Sequence, residues 1–562
     1  YPILDMTLPT STVLSLLLQK MSSIVSSSVL SISGIAQDEN NRRRYVRQIH
    51  QDGGVPDKCQ PCRPSEYASG NNNNKLYAPK QSDLMALLQV TETFRSASME
   101  FGVDKCAVIN VQKGRVVNSE YLQFSENVVL RSLCESDTYK YLGMSEALGI
   151  ADSDVKQQLK TRFLGRLIKV LKSLLSGGNT VRAFNCWVIP VIAYSFGILR
   201  WTQSELDALD RMVRRQLTAF RMHHPRLSVM MLYIPRRCGG RGFLSVKSLH
   251  NREVCYLRDY VLRLDDEMHR DVVKVDLALT ALSMAKQNWR RPQVLSISER
   301  KDIWKGKELH GRFYSALTGP EIDQLASVSW LSFGNLFGET EGFDFAIMDE
   351  VVKTNNYRKY IIKDGTVDIC RACRCPGQST RHVVSGCSRL ANGEYLHRHN
   401  QVAGIIHQQL ALRYGIVESE VPYCQYKPEP VLSNNRVTLY WDRSIVTDRT
   451  IMANKPDIVV IDRSARRAML IDITVPNDVN LVKADHEKIS KYLDLSHEVG
   501  AMWNMDSTII VPILISVHGL MAKSFGQHLQ KLSLGSWVKS LIQKAVLLDT
   551  ARIVRRFLTL DP

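Results

Sequence analysis

The chain has 562 residues, 44% of them hydrophobic and 23% charged. That is ordinary globular composition; it excludes a disordered or collagenous chain and leaves room for three or four domains of about 150 residues each. A formal net charge of +17, from 73 basic and 56 acidic residues, favours a polyanionic partner, nucleic acid before membrane. Twelve cysteines in so long a chain are no disulfide framework, and their clustering over 370–387 points to metal chemistry in a reducing compartment.

The numbering opens at Tyr1, so it is expected to begin inside a longer or processed chain, and no basic stretch precedes Val13–Leu18 as a signal peptide requires. Residues 1–66 run from Ser-rich through basic (Arg42, Arg43, Arg44) to Cys- and Pro-rich and are assigned to no domain; Cys59 and Cys62 read as bystander thiols. Asn71 to Asn74 read as a polar loop. A helix is expected over 83–94 on Leu84, Leu87, Leu88 and Val90, then a strand over 106–111 and a turn at Lys113-Gly114. Leu159, Phe163, Leu167, Leu171 and Leu174 recur at helical spacing and predict an amphipathic helix over 154–175. Its other face carries Arg162, Arg166, Lys169 and Lys172, either a solvated face or one that tracks phosphates.

The longest apolar run, between Arg182 and Arg200, holds Asn185, Pro190 and Ser195 and falls short of the roughly 20 residues of a membrane span, so a buried core helix is expected. A second basic-edged helix should run over 204–220, capped by Ser204 and Asp207 and carrying Arg211, Arg214 and Arg215, with Arg221 just beyond; Pro235, Gly239, Gly240 and Gly242 end that unit. Residues 300–350 read as connecting structure anchored by Trp304, Trp330 and Phe333. The last 130 or so residues predict strands over 437–441, 458–461, 468–475 and 508–517, with helices over 478–498 and 518–532, an α/β module with a central sheet.

Two constellations carry chemistry. Cys370-x2-Cys373-x8-His382-x4-Cys387 supplies four ligands for a structural zinc, with Cys375 as a spare thiol able to replace Cys373 and with Arg371, Arg374, Arg381 and Arg389 as a positive rim. The second is Asp457 and Asp472, expected on partner strands of a hairpin, with Lys488, Lys491 and Tyr492 following on a helix. Either these are surface carboxylates, or they converge on Mg²⁺ or Mn²⁺, which polarises a phosphodiester and helps to generate hydroxide while a lysine stabilises charge. Arg398-His399-Asn400 alone is a polar helix start.

Together these residues resemble a known family. Tyr77-Ala78-Pro79, the run from Met99 to Cys106 and Tyr141-Leu142-Gly143 resemble the end of a reverse transcriptase palm, and the run from Pro235 to Phe243 (PRRCGGRGF) resembles the thumb of non-LTR retrotransposons. The knuckle, the Arg-His-Asn triplet and Lys455-Pro456-Asp457 with Asp472 follow in order, as in the C-terminal part of site-specific retrotransposon polyproteins that carry a restriction-like endonuclease and insert into ribosomal RNA genes. The resemblance spans roughly residues 75–535.

It implies a multidomain α+β chain: 67–145 a degenerate palm end, 146–260 a helical thumb, 261–350 a connecting region, 351–410 the CCHC zinc knuckle, 411–435 a linker, 436–535 the α/β endonuclease and 536–562 a C-terminal helix. It also implies target-primed reverse transcription on target DNA and element RNA, in the nucleus and without a membrane partner. Asp457 and Asp472 match the family's metal-binding acids, Lys488 or Lys491 its lysine and Tyr492 an adjacent helix contact. Arg398, His399 and Asn400 match its DNA-contacting triplet. The common restriction-enzyme pattern places its lysine where Thr474 stands here, so the lysine is shifted onto the following helix. Asn72 and Asn73 replace the paired palm aspartates, so the polymerase of a truncated polyprotein is expected to be inactive. The rival expectation is a remnant that binds DNA or RNA and cuts nothing.

Overall fold

Helical periodicity fills most of the chain and strand alternation dominates near its end. The computed structural model describes residues 78, 80–92, 106–112, 115–117, 122–125, 128–141, 144–146, 152–265, 267–276 and 281–560. The expectations for residues 1–66, Asn71 to Asn74, Tyr77, Pro79, the run from Met99 to Lys105 and the Lys113-Gly114 turn lie outside them. The described residues are a mixed α/β protein in two compact units. One takes in residues up to Leu164, then Pro190–Glu205 and Leu249–Gln293; the other takes in Gly165–Ile189, Leu206–Ser248 and Val294 onward.

In the first unit, α1 (Gln81–Glu92) precedes β1 (Ala107–Val108), β2 (Leu122–Ser125) and β3 (Val128–Ser132), a three-stranded sheet in the order β1-β3-β2. The strand expected over 106–111 is interrupted, because Val111 leaves the sheet to pair with Val116 in a separate hairpin.

α2 (Asp152–Lys172) buries Val155, Leu159, Phe163, Leu167 and Leu171 as a stripe, with Asp152 and Asp154 in its first turn and Lys169 and Lys172 in its last complementing the helix dipole. Leu174 is not part of the stripe: it lies past the helix end and is 90% exposed. The apolar run between Arg182 and Arg200 is buried at Phe184, Val188, Ile192 and Phe196 but is not one helix. A π-helical turn over Phe184–Val188 interrupts it just ahead of Pro190, whose missing N–H cannot continue the α ladder. Asn185 uses its amide to bond Gly242 and Leu244 instead.

α3 (Gln203–Ala219) is capped two residues earlier than expected. Thr202 Oγ1 accepts from the Glu205 N–H and the Glu205 carboxylate accepts from the Thr202 N–H, a reciprocal box, whereas Asp207 pairs with Lys247 at 2.9 Å. α4 spans Val246–Val261. Trp304 and Trp330 are buried anchors, but Phe333 is 70% exposed and anchors nothing.

The second unit continues with α5 (Gly338–Met348) and α6 (Leu396–Arg413). Then come β4 (Val431–Ser433), β5 (Val437–Trp441), β6 (Ile458–Asp462), β7 (Arg467–Thr474), α7 (Leu481–Lys491), α8 (Leu493–Met502), β8 (Ser507–Leu514), α9 (Ser524–Lys531) and α10 (Trp537–Leu558). The five strands form one sheet in the order β8-β7-β6-β5-β4, antiparallel except for the parallel β7–β8 pair. Pro512 sits on the edge strand β8, where its lack of an N–H is tolerated.

Period-two alternation divides this sheet into two buried faces. Ile458, Val460, Met469, Ile471 and Ile473 share a core with Val402, Ile405 and Ile406 of α6 and with residues of α9 and α10. Val459, Ile461, Ala468 and Leu470 share the other with Tyr492 and with Leu495 and Val499 of α8. The single helix expected over 478–498 is broken at Tyr492. Among the described residues no helix is long and apolar enough to cross a membrane.

Candidate functional site: a carboxylate cluster and a cysteine–histidine group

The register of β6 and β7 pairs Ile458 with Ile471, and carried one residue further it sets Asp457 directly opposite Asp472. By alternation Asp472 belongs to the face of Leu470, the face that α8 covers, whereas Asp457, one residue ahead of β6, reaches His399 of α6 and the Ile473 N–H. Asp472 is nearly buried, 5% exposed; its Oδ1 accepts from the Tyr492 hydroxyl at 2.6 Å. Its Oδ2 has no hydrogen-bond partner and meets only the Lys488 ammonium, an ion pair at 2.5 Å. Lys491 Nζ lies 3.7 Å from the same carboxylate and donates to the Tyr492 hydroxyl at 2.8 Å. The helix break therefore turns the Tyr492 ring into the sheet beneath two lysines that share a face of α7. Burial and the bond to Asp472 push the phenol far above its ordinary pKa, so it stays a donor.

The Arg-His-Asn triplet separates into three different roles. Arg398 is not available to nucleic acid: it is buried and donates to Thr550 Oγ1 and the Val384 carbonyl. Burial pulls its guanidinium down to about 10. His399 reaches the carboxylate cluster, a placement that sequence reasoning missed, with Nε2 3.2 Å from Asp457 Oδ2 and 3.1 Å from the Ile473 carbonyl. Burial opposes its protonation, but the hydrogen bond and charge of Asp457 outweigh it and raise the imidazole to about 9. Asn400 is exposed, with Oδ1 3.0 Å from His399 Nδ1. Asp457 Oδ2 also accepts the Ile473 N–H at 2.6 Å.

The ligand atoms of Cys370, Cys373, His382 and Cys387 all lie within 4.8 Å of one another, so this group can hold a metal ion such as zinc. Cys370 Sγ and Cys387 Sγ are 3.8 Å apart, and Cys373 Sγ and His382 Nε2 3.4 Å. Arg374 and Gly377 take positive φ where the chain doubles back, and the Cys370 N–H closes the loop on the Cys375 carbonyl. Cys375 itself is exposed and outside the group. The positive rim is half of what was expected. Arg371 is spent on the carbonyls of Leu558 and Leu560 at the end of α10, and Arg381 pairs with Glu350; Arg374 and Arg389 remain exposed. Nor is the group a free-standing knuckle: Cys370, Val383, Val384 and Cys387 belong to a core that includes Trp304, Phe345, Leu481 and Phe557.

On α2, Arg162 and Lys169 are exposed, while Arg166 donates to the Trp187 carbonyl at 2.8 Å and lies over its ring. On α3, Arg211 and Arg215 are exposed and Arg214 donates to the Tyr233 hydroxyl. The PRRCGGRGF run is a structural clasp: Arg236 binds Glu341 through two nitrogens at 2.9 and 2.7 Å and also donates to the Leu331 carbonyl. Arg241 meets the same carboxylate at 3.0 Å and donates to the Met222 carbonyl. No protein-family model and no curated protein matches the chain.

Proposed function

We propose that this chain is a metal-dependent DNA endonuclease of the restriction-like kind, the C-terminal part of a site-specific non-LTR retrotransposon polyprotein acting in the nucleus. The observation that carries the reading is the register that sets Asp457 opposite Asp472 while Lys488 meets the second acid. Two carboxylates beside the Ile473 carbonyl are the hard oxygen donors that suit Mg²⁺ or Mn²⁺. Bound there, the ion supplies Lewis-acid polarisation of a phosphodiester. Asp457 and Asp472 hold it, Tyr492 fixes the orientation of Asp472, and Lys488, with Lys491 in reserve, brings positive charge to the phosphate. The exposed Arg162 and Lys169 track the DNA or element RNA backbone.

Zinc fills the Cys370, Cys373, His382 and Cys387 group: a tetrahedral ion with Zn–S bonds of about 2.3 Å sets its sulphurs about 3.8 Å apart, which is the Cys370–Cys387 separation. All four positions are protein ligands, so this metal is structural. Palm, thumb and nuclease are the family's arrangement, with Asn72 and Asn73 leaving the polymerase without its acids. Primer extension on an RNA template should accordingly give only background.

One observation favours a binding remnant instead. Asp472 is already neutralised by Lys488 and Asp457 is met by His399, so the cluster is charge-compensated as it stands. Nicking of supercoiled plasmid with Mg²⁺ or Mn²⁺ separates the two: the nuclease cuts and Asp457→Ala does not, whereas the remnant binds and never cuts.

A further inference from the structure

Tryptophan is on average a well-buried residue, yet Trp187 is 43% exposed. It stands in the π-helical turn Phe184–Val188, whose end residues Phe184 and Val188 are fully buried. The Asn185 amide of the same turn is bonded to Gly242 and Leu244. The turn is therefore fixed by its neighbours, and the outward position of the indole is fixed with it. Arg166 of α2 donates to the Trp187 carbonyl at 2.8 Å, and its guanidinium lies 4.9 Å from the ring centroid, a cation–π contact that steadies the ring. The surroundings are cationic. No Asp or Glu occurs between Asp154 and Glu205, a stretch with eight Lys and Arg. Lys169, three residues beyond Arg166 and so beside it on α2, is exposed, as are Lys172 and Arg182. Glu341, which lies against Gly177, is already neutralised by Arg236 and Arg241.

A rigid, flat π surface among uncompensated cations matches a partner that carries flat bases and phosphates together. In a duplex the base faces are stacked on one another, so only an unpaired base can lie on the indole. We propose that Trp187 is a stacking platform for such a base, which makes single-stranded nucleic acid the partner of this face, either element RNA or a DNA strand freed at a nick. The base lies on the ring that Arg166 steadies, while Lys169 meets a neighbouring phosphate. The inference rests on the reading above that the basic face of α2 tracks nucleic acid, and adds to it a preference for the unpaired strand.

The test compares binding of the full chain to oligo(dT), oligo(rU) and a duplex of the same length, without added Mg²⁺ or Mn²⁺. Trp187→Ala should weaken binding of the oligonucleotides by about 5- to 150-fold, the worth of one stacked base, and leave duplex binding unchanged. Trp187→Phe should keep most of the affinity, because a smaller ring still stacks. The salt slope of oligonucleotide binding should not move in Trp187→Ala, which removes no charge, whereas Lys169→Ala should flatten it by about 0.7. A loss on oligo(rU) alone assigns the platform to RNA and a loss on oligo(dT) alone to the freed DNA strand, and either upholds it. Equal losses on single strands and duplex, or no loss on any of them, overturn the platform and leave the basic face standing. No salt-dependent binding to oligonucleotide or duplex overturns both. If Trp187→Ala fails to fold, photocrosslinking of the wild-type chain to oligo(dT) and oligo(rU) carrying 5-iodouracil decides: an adduct on Trp187 upholds the platform, and adducts elsewhere overturn it.

Discussion

Two ionic clusters in the larger unit are built from the same kinds of group and do opposite things. In the Arg236–Arg241–Glu341 clasp, one carboxylate takes two guanidiniums and is 2% exposed, Arg241 is 1% exposed, and the leftover N–H groups end on carbonyls. Burial alone would raise the Glu341 carboxyl, but the two arginines outweigh it and hold it below the ordinary value. In the carboxylate cluster each acid has its own cationic partner, Lys488 for Asp472 and His399 for Asp457, and Asp457, His399 and Lys488 each keep between a fifth and a quarter of their side chains exposed. A saturated, dry cluster fixes a fold. Charged groups left partly beside solvent, as Asp457, His399 and Lys488 are, stay within reach of a ligand and suit the proposed cation site.

The sharpest way to break that comparison is to substitute both clusters and read both activity and stability. Asp457→Asn and Asp472→Asn should take metal-dependent nicking to background. Asp457→Asn should cost about 1 kcal/mol or less, because that carboxylate keeps a fifth of its side chain exposed, whereas substitution of the nearly buried Asp472 should cost more. Glu341→Gln should do the reverse, destabilising the protein by about 3–5 kcal/mol because Arg241 is left buried without its counter-charge. Denaturant melts beside plasmid nicking check both. A large stability loss from Asp457→Asn, or a small one from Glu341→Gln, would dissolve the distinction.

The cysteine–histidine group stands between the two, functional in composition and structural in surroundings. Cys370→Ser should lower zinc from one ion per chain to none by elemental analysis. With so little core of its own, such a segment would be expected to melt alone. Its residues share a core with Trp304, Phe345 and Phe557, however, so zinc loss should instead shift a single cooperative transition of the larger unit downward. A separate low-temperature transition would show that the shared packing contributes little. Lys488→Ala should then reduce nicking less than either aspartate substitution, since Lys491 Nζ is 3.7 Å from the same carboxylate, and Lys488→Ala/Lys491→Ala together should match the aspartate loss.

How much of this was readable in sequence depended on distance along the chain. The β6–β7 pairing was legible because a short hairpin with alternating apolar residues has only one register that keeps both faces buried. The four-ligand group was legible because its ligands lie within one short segment. The break at Tyr492 was not, because helical periodicity runs through it and only the pull of Asp472 on the phenol marks it. His399 reaches Asp457 from a different element, and the only local hint was a polar triplet in the first turn of a helix. The clasp was hidden for the same reason, its partner Glu341 lying on α5. The glycines of PRRCGGRGF were the available sign of close approach: a Cβ at Gly240 would stand 2.3 Å from the Ile234 carbonyl.

The smallest expected effect carries the comparison onto the basic face of α2. All three of Arg162, Arg166 and Lys169 read alike in sequence, but Arg166 is held by the Trp187 carbonyl and ring, whereas the other two are exposed. A charge already committed to the protein gives little to a phosphate, since moving it would break a hydrogen bond and a cation–π contact for one ion pair. Each phosphate contact adds about 0.9 to the slope of log affinity against log salt on duplex DNA. Arg162→Ala and Lys169→Ala should each flatten the slope by close to that amount, and Arg166→Ala by much less. The triple substitution should then remove about two contacts rather than three. Equal changes from all three substitutions would mean that Arg166 lets go of Trp187 when DNA binds, and that committed and open charges cannot be told apart on this face.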